Sequence, residues 1–182
     1  MDVIYHIIVL AVAVTACVRG FRRGLARQTP YLIATAFAIV STRLLAPGLE
    51  PALRGAFPTV HGTAMETFTY DTAATTIVFA AVFLIFSVIT SFLSKVFTRD
   101  DRTILDNLGG ALFSLFEYLT ILSICYNVAL ASDRDPNLMK TVKSDDGNVV
   151  EEVLLLAPAL LGGEDAAELA HKLQLEDAKK IS

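Results

Sequence analysis

Four apolar stretches, at residues 3–18, 30–45, 73–93 and 108–131, constrain this chain more than any other feature. The third reads AATTIVFAAVFLIFSVITSFL and contains no charged residue. Its length matches the ~20 apolar residues that a helix needs to cross a hydrocarbon core of ~30 Å. A helix buried in a water-soluble domain keeps a polar stripe at a spacing of about 3.6 residues, and no charged stripe exists here. A hydrophobic share of 54% and a mean hydropathy of +0.56 agree. The predicted fold is therefore all-α: a polytopic membrane protein, a bundle of four transmembrane helices (residues 1–131), followed by an acidic, partly helical extramembrane tail (132–182).

The first stretch is short, about 24 Å at ~1.5 Å per residue, so flanking residues or a thinned bilayer must complete the span. It reads as a retained helix and not as a cleaved signal. Asp2 stands where a signal peptide carries positive charge, and the arginines (Arg19, Arg22, Arg23, Arg27) follow the apolar run. The glycines of RGFRRG, at 19–24, permit a tight reversal. Pro30 is tolerated in the first turn of the second helix, and Ala46-Pro47-Gly48 is expected to end it. Between 47 and 72, Leu49, Leu53, Phe57 and Met65 are consistent with a short surface helix. Asp106-Asn107 offers N-cap chemistry for the fourth span. In the tail, Pro158 and Gly162-Gly163 keep residues 149–161 from forming a fifth span, so a short helix docked on the bundle or the membrane surface is expected. Residues 164–175 have the spacing of an amphipathic helix.

The formal charge of −4 says less than its distribution. Positive charge gathers in the first and third turns (Arg19, Arg22, Arg23, Arg27; Lys95, Arg99, Arg102), whereas the second connection carries mainly Arg54. The positive-inside rule then puts turns one and three in the cytoplasm and both termini outside. Arg43 stands against that trend. No basic surface for nucleic acid is evident. Cys17 and Cys125 lie in apolar runs and read as packing residues. His6, His61 and His171 are scattered, so no metal site, cofactor site or catalytic constellation is expected, and the chain does not read as an enzyme.

Two kinds of residue remain as candidates for function. Ala34-xxx-Ala38 and Gly110-xxx-Ser114 follow the small-xxx-small pattern of helix packing in lipid, within one chain or across a dimer. Glu117 lies inside the fourth apolar stretch, where a carboxylate is costly and marks a functional candidate. Asn107, Gly110, Ser114, Glu117 and Ile121 advance by threes and fours along one face. Ser114 and Glu117 are thus a candidate intramembrane polar site, with internal packing as the alternative role.

The order of these features resembles the colicin V production protein (CvpA) family. Its pattern is an acidic residue before a short first helix, then RGF-x-x-G, then three further spans. A turn ending in aspartate and a glycine-rich opening lead into the last. The matching residues are Asp2, the segment Arg19, Gly20, Phe21, Arg22, Arg23, Gly24, and the run from Asp106 through Gly109 and Gly110 to Phe113. The resemblance covers residues 1–155. It departs where the family has FG-x-x-RG: Ser114 replaces the glycine and Glu117 the arginine. It implies an inner-membrane protein linked to production of a secreted peptide toxin, or to envelope homeostasis, acting through secretion or envelope partners. A small channel or transporter formed between subunits of a homo-oligomer is the alternative. A periplasm-dependent reporter fused at Ser182 is expected to be active, and a cytoplasm-dependent one silent; the reverse pattern would invert the topology.

Overall fold

A computed structural model describes residues 2–57, 65–94, 103–133 and 149–163. Among the described residues the chain is all helix, as α1 (Asp2–Arg23), α2 (Thr29–Ala56), α3 (Met65–Ser94), α4 (Ile104–Asp133) and α5 (Val149–Leu161). The first four are each long and apolar enough to cross a membrane. Large apolar side chains such as Leu84, Ile85, Val88 and Phe92 of α3 lie exposed on the bundle surface, as expected where lipid is the solvent. The bundle is built from two helix pairs, α1 with α4 and α2 with α3, and α5 packs chiefly on α4.

Small residues set the α2–α3 pair. Ala34, Ala38, Thr42 and Ala46 recur every four residues on α2 and are all buried. Ala46 meets Ala74 and Val78 of α3, and Phe37 stacks on Phe86 with ring centroids 4.6 Å apart. Close backbone approach through small side chains is how helices associate in lipid. The Ala34-xxx-Ala38 motif is therefore used within the chain.

Every span is longer than its apolar stretch. The 22 residues of α1 cover about 33 Å at ~1.5 Å per residue, so no thinning of the bilayer is required. The larger correction concerns α2, which does not end at Ala46-Pro47-Gly48. It runs through Pro47 and Pro51 to Ala56, and Leu49 and Leu53 lie on this extension rather than on a separate surface helix. Proline's fixed φ is itself helical, and tertiary contacts hold the extension. Leu49 and Leu53 pack against the Ala46–Ala74–Val78 cluster. Arg54 bonds Glu50 at 2.8 Å through Nε and Glu66 of α3 at 2.6 Å through Nη1, and lies 5.3 Å from the centre of the Tyr70 ring. The Tyr70 hydroxyl donates to the Phe57 carbonyl, closing the end of α2 onto α3.

The fifth helix is docked on the bundle. Val150, Val153 and Leu154 share a core with Val9, Met65, Phe68, Tyr126 and Leu130 from α1, α3 and α4. Pro158 lies inside α5 and has no N–H to offer the carbonyl four residues back, that of Leu154. α4 supplies the missing donors: Ser123 Oγ donates to Leu154 O at 3.0 Å and Asn127 Nδ2 at 2.7 Å. Ser123 Oγ also accepts from the Ala157 N–H at 2.8 Å. At the far end of α5, Arg43 Nε and Nη2 donate to the carbonyls of Leu160 and Ala159 at 2.7 and 2.6 Å, a cation at the negative end of a helix dipole. The expected helix at 164–175 lies outside the described residues, as do Lys95, Arg99 and Arg102.

Ser123→Ala is expected to lower stability by about 1–3 kcal/mol, since it removes one of the two α4 donors to the Leu154 carbonyl and the acceptor of the Ala157 N–H. Introducing Pro158→Ala, which restores an N–H for Leu154, should recover part of that loss. Unfolding of the two single variants and the double variant in mixed micelles measures this, and strict additivity would contradict the account.

Candidate functional site

At the opposite end of the bundle the motif residues of α1 and α4 converge on one side chain, Gln28. α1 ends at Arg23, and Gly24 takes φ +75° with its N–H on the Gly20 carbonyl at 3.0 Å, a left-handed C-terminal cap suited to glycine. α2 begins five residues later, at Thr29. Gln28 occupies its N-cap position, but its side chain makes no capping bond. The carboxamide turns back instead. Nε2 donates to the carbonyls of Gly20 and Gly110, both at 3.2 Å, and Oε1 accepts from Ser114 Oγ at 2.7 Å. At 2% exposure Gln28 is sealed from solvent, and one side chain ties three helices together.

The glycines make room for this knot. A Cβ on Gly20 would overlap the Gly110 carbonyl oxygen, and a Cβ on Gly110 would lie 2.6 Å from the Gly20 oxygen and 2.7 Å from the Gly24 carbonyl carbon. Gly109 faces Leu25, where a Cβ would come within 3.0 Å of Cδ2. Only Gly24 of RGFRRG makes the reversal; Gly20 lies within α1 and serves close approach to α4.

Asp106 has a different task from the one expected. α4 begins at Ile104, so Asp106 lies in its first turn, where a negative charge suits the helix dipole. Its Oδ1 accepts the Ala26 N–H at 2.7 Å, and its carbonyl accepts the Leu25 N–H at 2.9 Å. It thus caps the α1–α2 turn across the bundle rather than its own helix. A Cβ on Gly24 would strike Oδ2 of the same carboxylate.

The other expected residues scatter. Arg19 and Phe21 are exposed, and Phe113 is half-buried. Asp2 opens α1, with its side chain outside the described residues. Glu117 is half-buried, within the influence of the Arg23 charge on α1, and Ile121 faces outward at 43% exposure. The proposed polar face therefore does not run straight along α4. Buried polar side chains continue from Ser114 to Thr120, Ser123 and Asn127, drifting from the α1 side to the α5 side. Sequence reasoning missed Gln28, Thr120, Ser123 and Asn127. The recurrence of Ser, Thr and Asn at three- and four-residue steps within an apolar helix was the available signal for the last three.

A profile described as colicin V production protein matches residues 5–144. The chain belongs to that family. No curated protein and no solved structure matches it. In this member of the colicin V production family, the glycines and aspartate of the two motifs are the contact surface between α1, its turn and α4. Ser114 takes part as well, since its hydroxyl completes the bonding of Gln28.

Gly110→Val is expected to abolish folded protein, because the new side chain meets backbone atoms that cannot move independently. Gln28→Leu should cost about 1–3 kcal/mol and Ser114→Ala about 1 kcal/mol. Detergent-solution unfolding and size-exclusion profiles report all three.

Proposed function

We propose that this protein supports toxin export or envelope homeostasis in the bacterial inner membrane through partner proteins, without catalysis of its own. The family match over residues 5–144 carries this reading. Two structural features support it. The buried polar groups Gln28, Ser114 and Ser123 are bonded to the chain's own atoms, an internal role in holding the bundle. The outward face of α3, with Leu84, Val88 and Phe92 exposed, offers a continuous apolar stripe that lipid or a partner's helix can cover.

The orientation with both termini outside belongs to the same proposal. Arg19, Arg22 and Arg23 are exposed at one end. At the other end Arg43 and Arg54 are drawn into bonds with α5 carbonyls and with Glu50 and Glu66. The basic residues that seemed to oppose the charge asymmetry thus have internal partners, which fits a cytoplasmic side at the RGFRRG turn.

A channel or transporter is the second reading, favoured by Glu117, a half-buried carboxylate with no hydrogen bond among the described residues. In a strain lacking the protein, wild-type and Glu117→Gln genes are expected to restore toxin secretion and detergent resistance equally. Liposomes bearing the purified protein should show no ion flux. Flux that falls in Glu117→Gln would replace the partner reading with the transport one.

A further inference from the structure

Two open clefts flank one ridge of α1 near its arginine-bearing end. The larger, about 470 Å³, is lined by Val14, Thr15 and Val18, and then by Arg19, Arg22 and Arg23. The second, about 320 Å³, lies between α1 and α4, lined by Cys17, Phe21 and Ala111, again with Val18 and Arg22. Val18 and Arg22 are four residues apart, so they stand on one face of the helix and form the wall between the clefts. Val14, Val18 and Phe21 are exposed, so both clefts open on the surface that acyl chains cover. The Thr15 hydroxyl is turned inward to the Ala11 carbonyl at 2.7 Å. Each cleft therefore has an apolar stretch within the span, and cations where α1 reaches its last turn.

The chain itself does not satisfy those cations. Arg19, Arg22 and Arg23 are exposed and make no hydrogen bond or salt bridge among the described residues. Arg43 and Arg54, at the other end of the bundle, are both bonded. The carboxylates at the arginine-bearing end are otherwise placed. Asp106 accepts the Ala26 N–H, and Glu117 lies within the influence of Arg23 alone. Arg19 and Arg22, three residues apart and so neighbours on the helix surface, are left without a counter-charge among the described residues. A guanidinium offers a planar fork of donors that matches phosphate oxygens. Setting topology requires positive charge at this end of the helix, but it does not require that charge to crown two apolar grooves.

We propose that this face of α1 binds one anionic phospholipid of the bilayer. Its phosphate sits between Arg19 and Arg22, with Arg23 at the rim, and its two acyl chains run down the clefts on either side of Val18. A zwitterionic lipid carries its own cation beside the phosphate and is held less well. The second cleft reaches Ala111 of α4, so the bound lipid spans the α1–α4 pair. The site is independent of whether the protein acts through partners or by transport.

Occupancy can be read at the site itself. The chain contains no tryptophan, so Phe21→Trp, at an exposed aromatic position, places a single reporter on the wall of the second cleft. The full chain in phosphatidylcholine nanodiscs is given increasing fractions of phosphatidylglycerol brominated on its acyl chains, which quenches a tryptophan in contact with it. Quenching is expected to saturate at a low fraction and to exceed that from the same fraction of brominated phosphatidylcholine. Adding Arg22→Gln should raise the half-effective fraction about fivefold. Diffuse attraction to any basic helix end predicts the same loss, so a second variant alters the grooves and keeps the charge. Val18→Phe adds bulk where the two clefts meet, and should weaken quenching by a similar factor. Equal quenching by the two lipids would overturn the proposal. So would a Val18→Phe protein that binds phosphatidylglycerol as its Phe21→Trp parent does, leaving the arginines to topology and diffuse attraction.

Discussion

A carbonyl that has lost its helical partner cannot turn to water inside a bilayer, and must find a donor within the protein. That requirement shapes the bundle where α5 docks: Pro158 leaves the Leu154 carbonyl without an N–H donor, and Ser123 and Asn127 of α4 replace it. At the other end α1 closes on α4 through glycines, and Gln28 adds a bridging donor to the two carbonyls at their crossing. Apolar packing is weakly directional in lipid, because side chains are as content against acyl chains as against each other. The polar contacts therefore set which helix faces which, and small residues determine how near they come.

Much of the fold was legible because the bilayer imposes a length and a composition on each span. Four apolar stretches became four helices, and a short apolar segment with proline and glycine became a short docked helix. Their ends were not legible. Pro47 and Pro51 carry a strong local message to stop, but the buried face of Ala46, the packing of Leu49 and Leu53, and the bonds of Arg54 outweigh it. Glu50 is a helical neighbour of Arg54, but Glu66, Ala74 and Val78 all lie on α3. The same limit applied to Asp106, which looked like a cap for its own helix and instead caps the turn around Ala26, 80 residues away.

The family motifs were visible as patterns before their purpose was. Gly20, Gly24, Gly109 and Gly110 are spaced for contact across two helices, and single-sequence reading gives no register between α1 and α4. Gln28 shows the difficulty most clearly. A glutamine beside an arginine in a turn reads as a solvated residue, and only the crossing of α1 over α4 encloses it. Positions 114 and 117 then take on physical meaning. A hydroxyl joins the glutamine, and a half-buried carboxylate stands three residues further along the same helix.

The docking of α5 has a consequence for how the molecule is made. Its residues leave the ribosome after all four spans, yet they complete a core that also draws on Val9, near the beginning of the chain. Without α5, Ser123 and Asn127 of α4 lose the Leu154 carbonyl that they bond, so the four spans alone leave polar groups on α4 that the last helix to be synthesised has to cover.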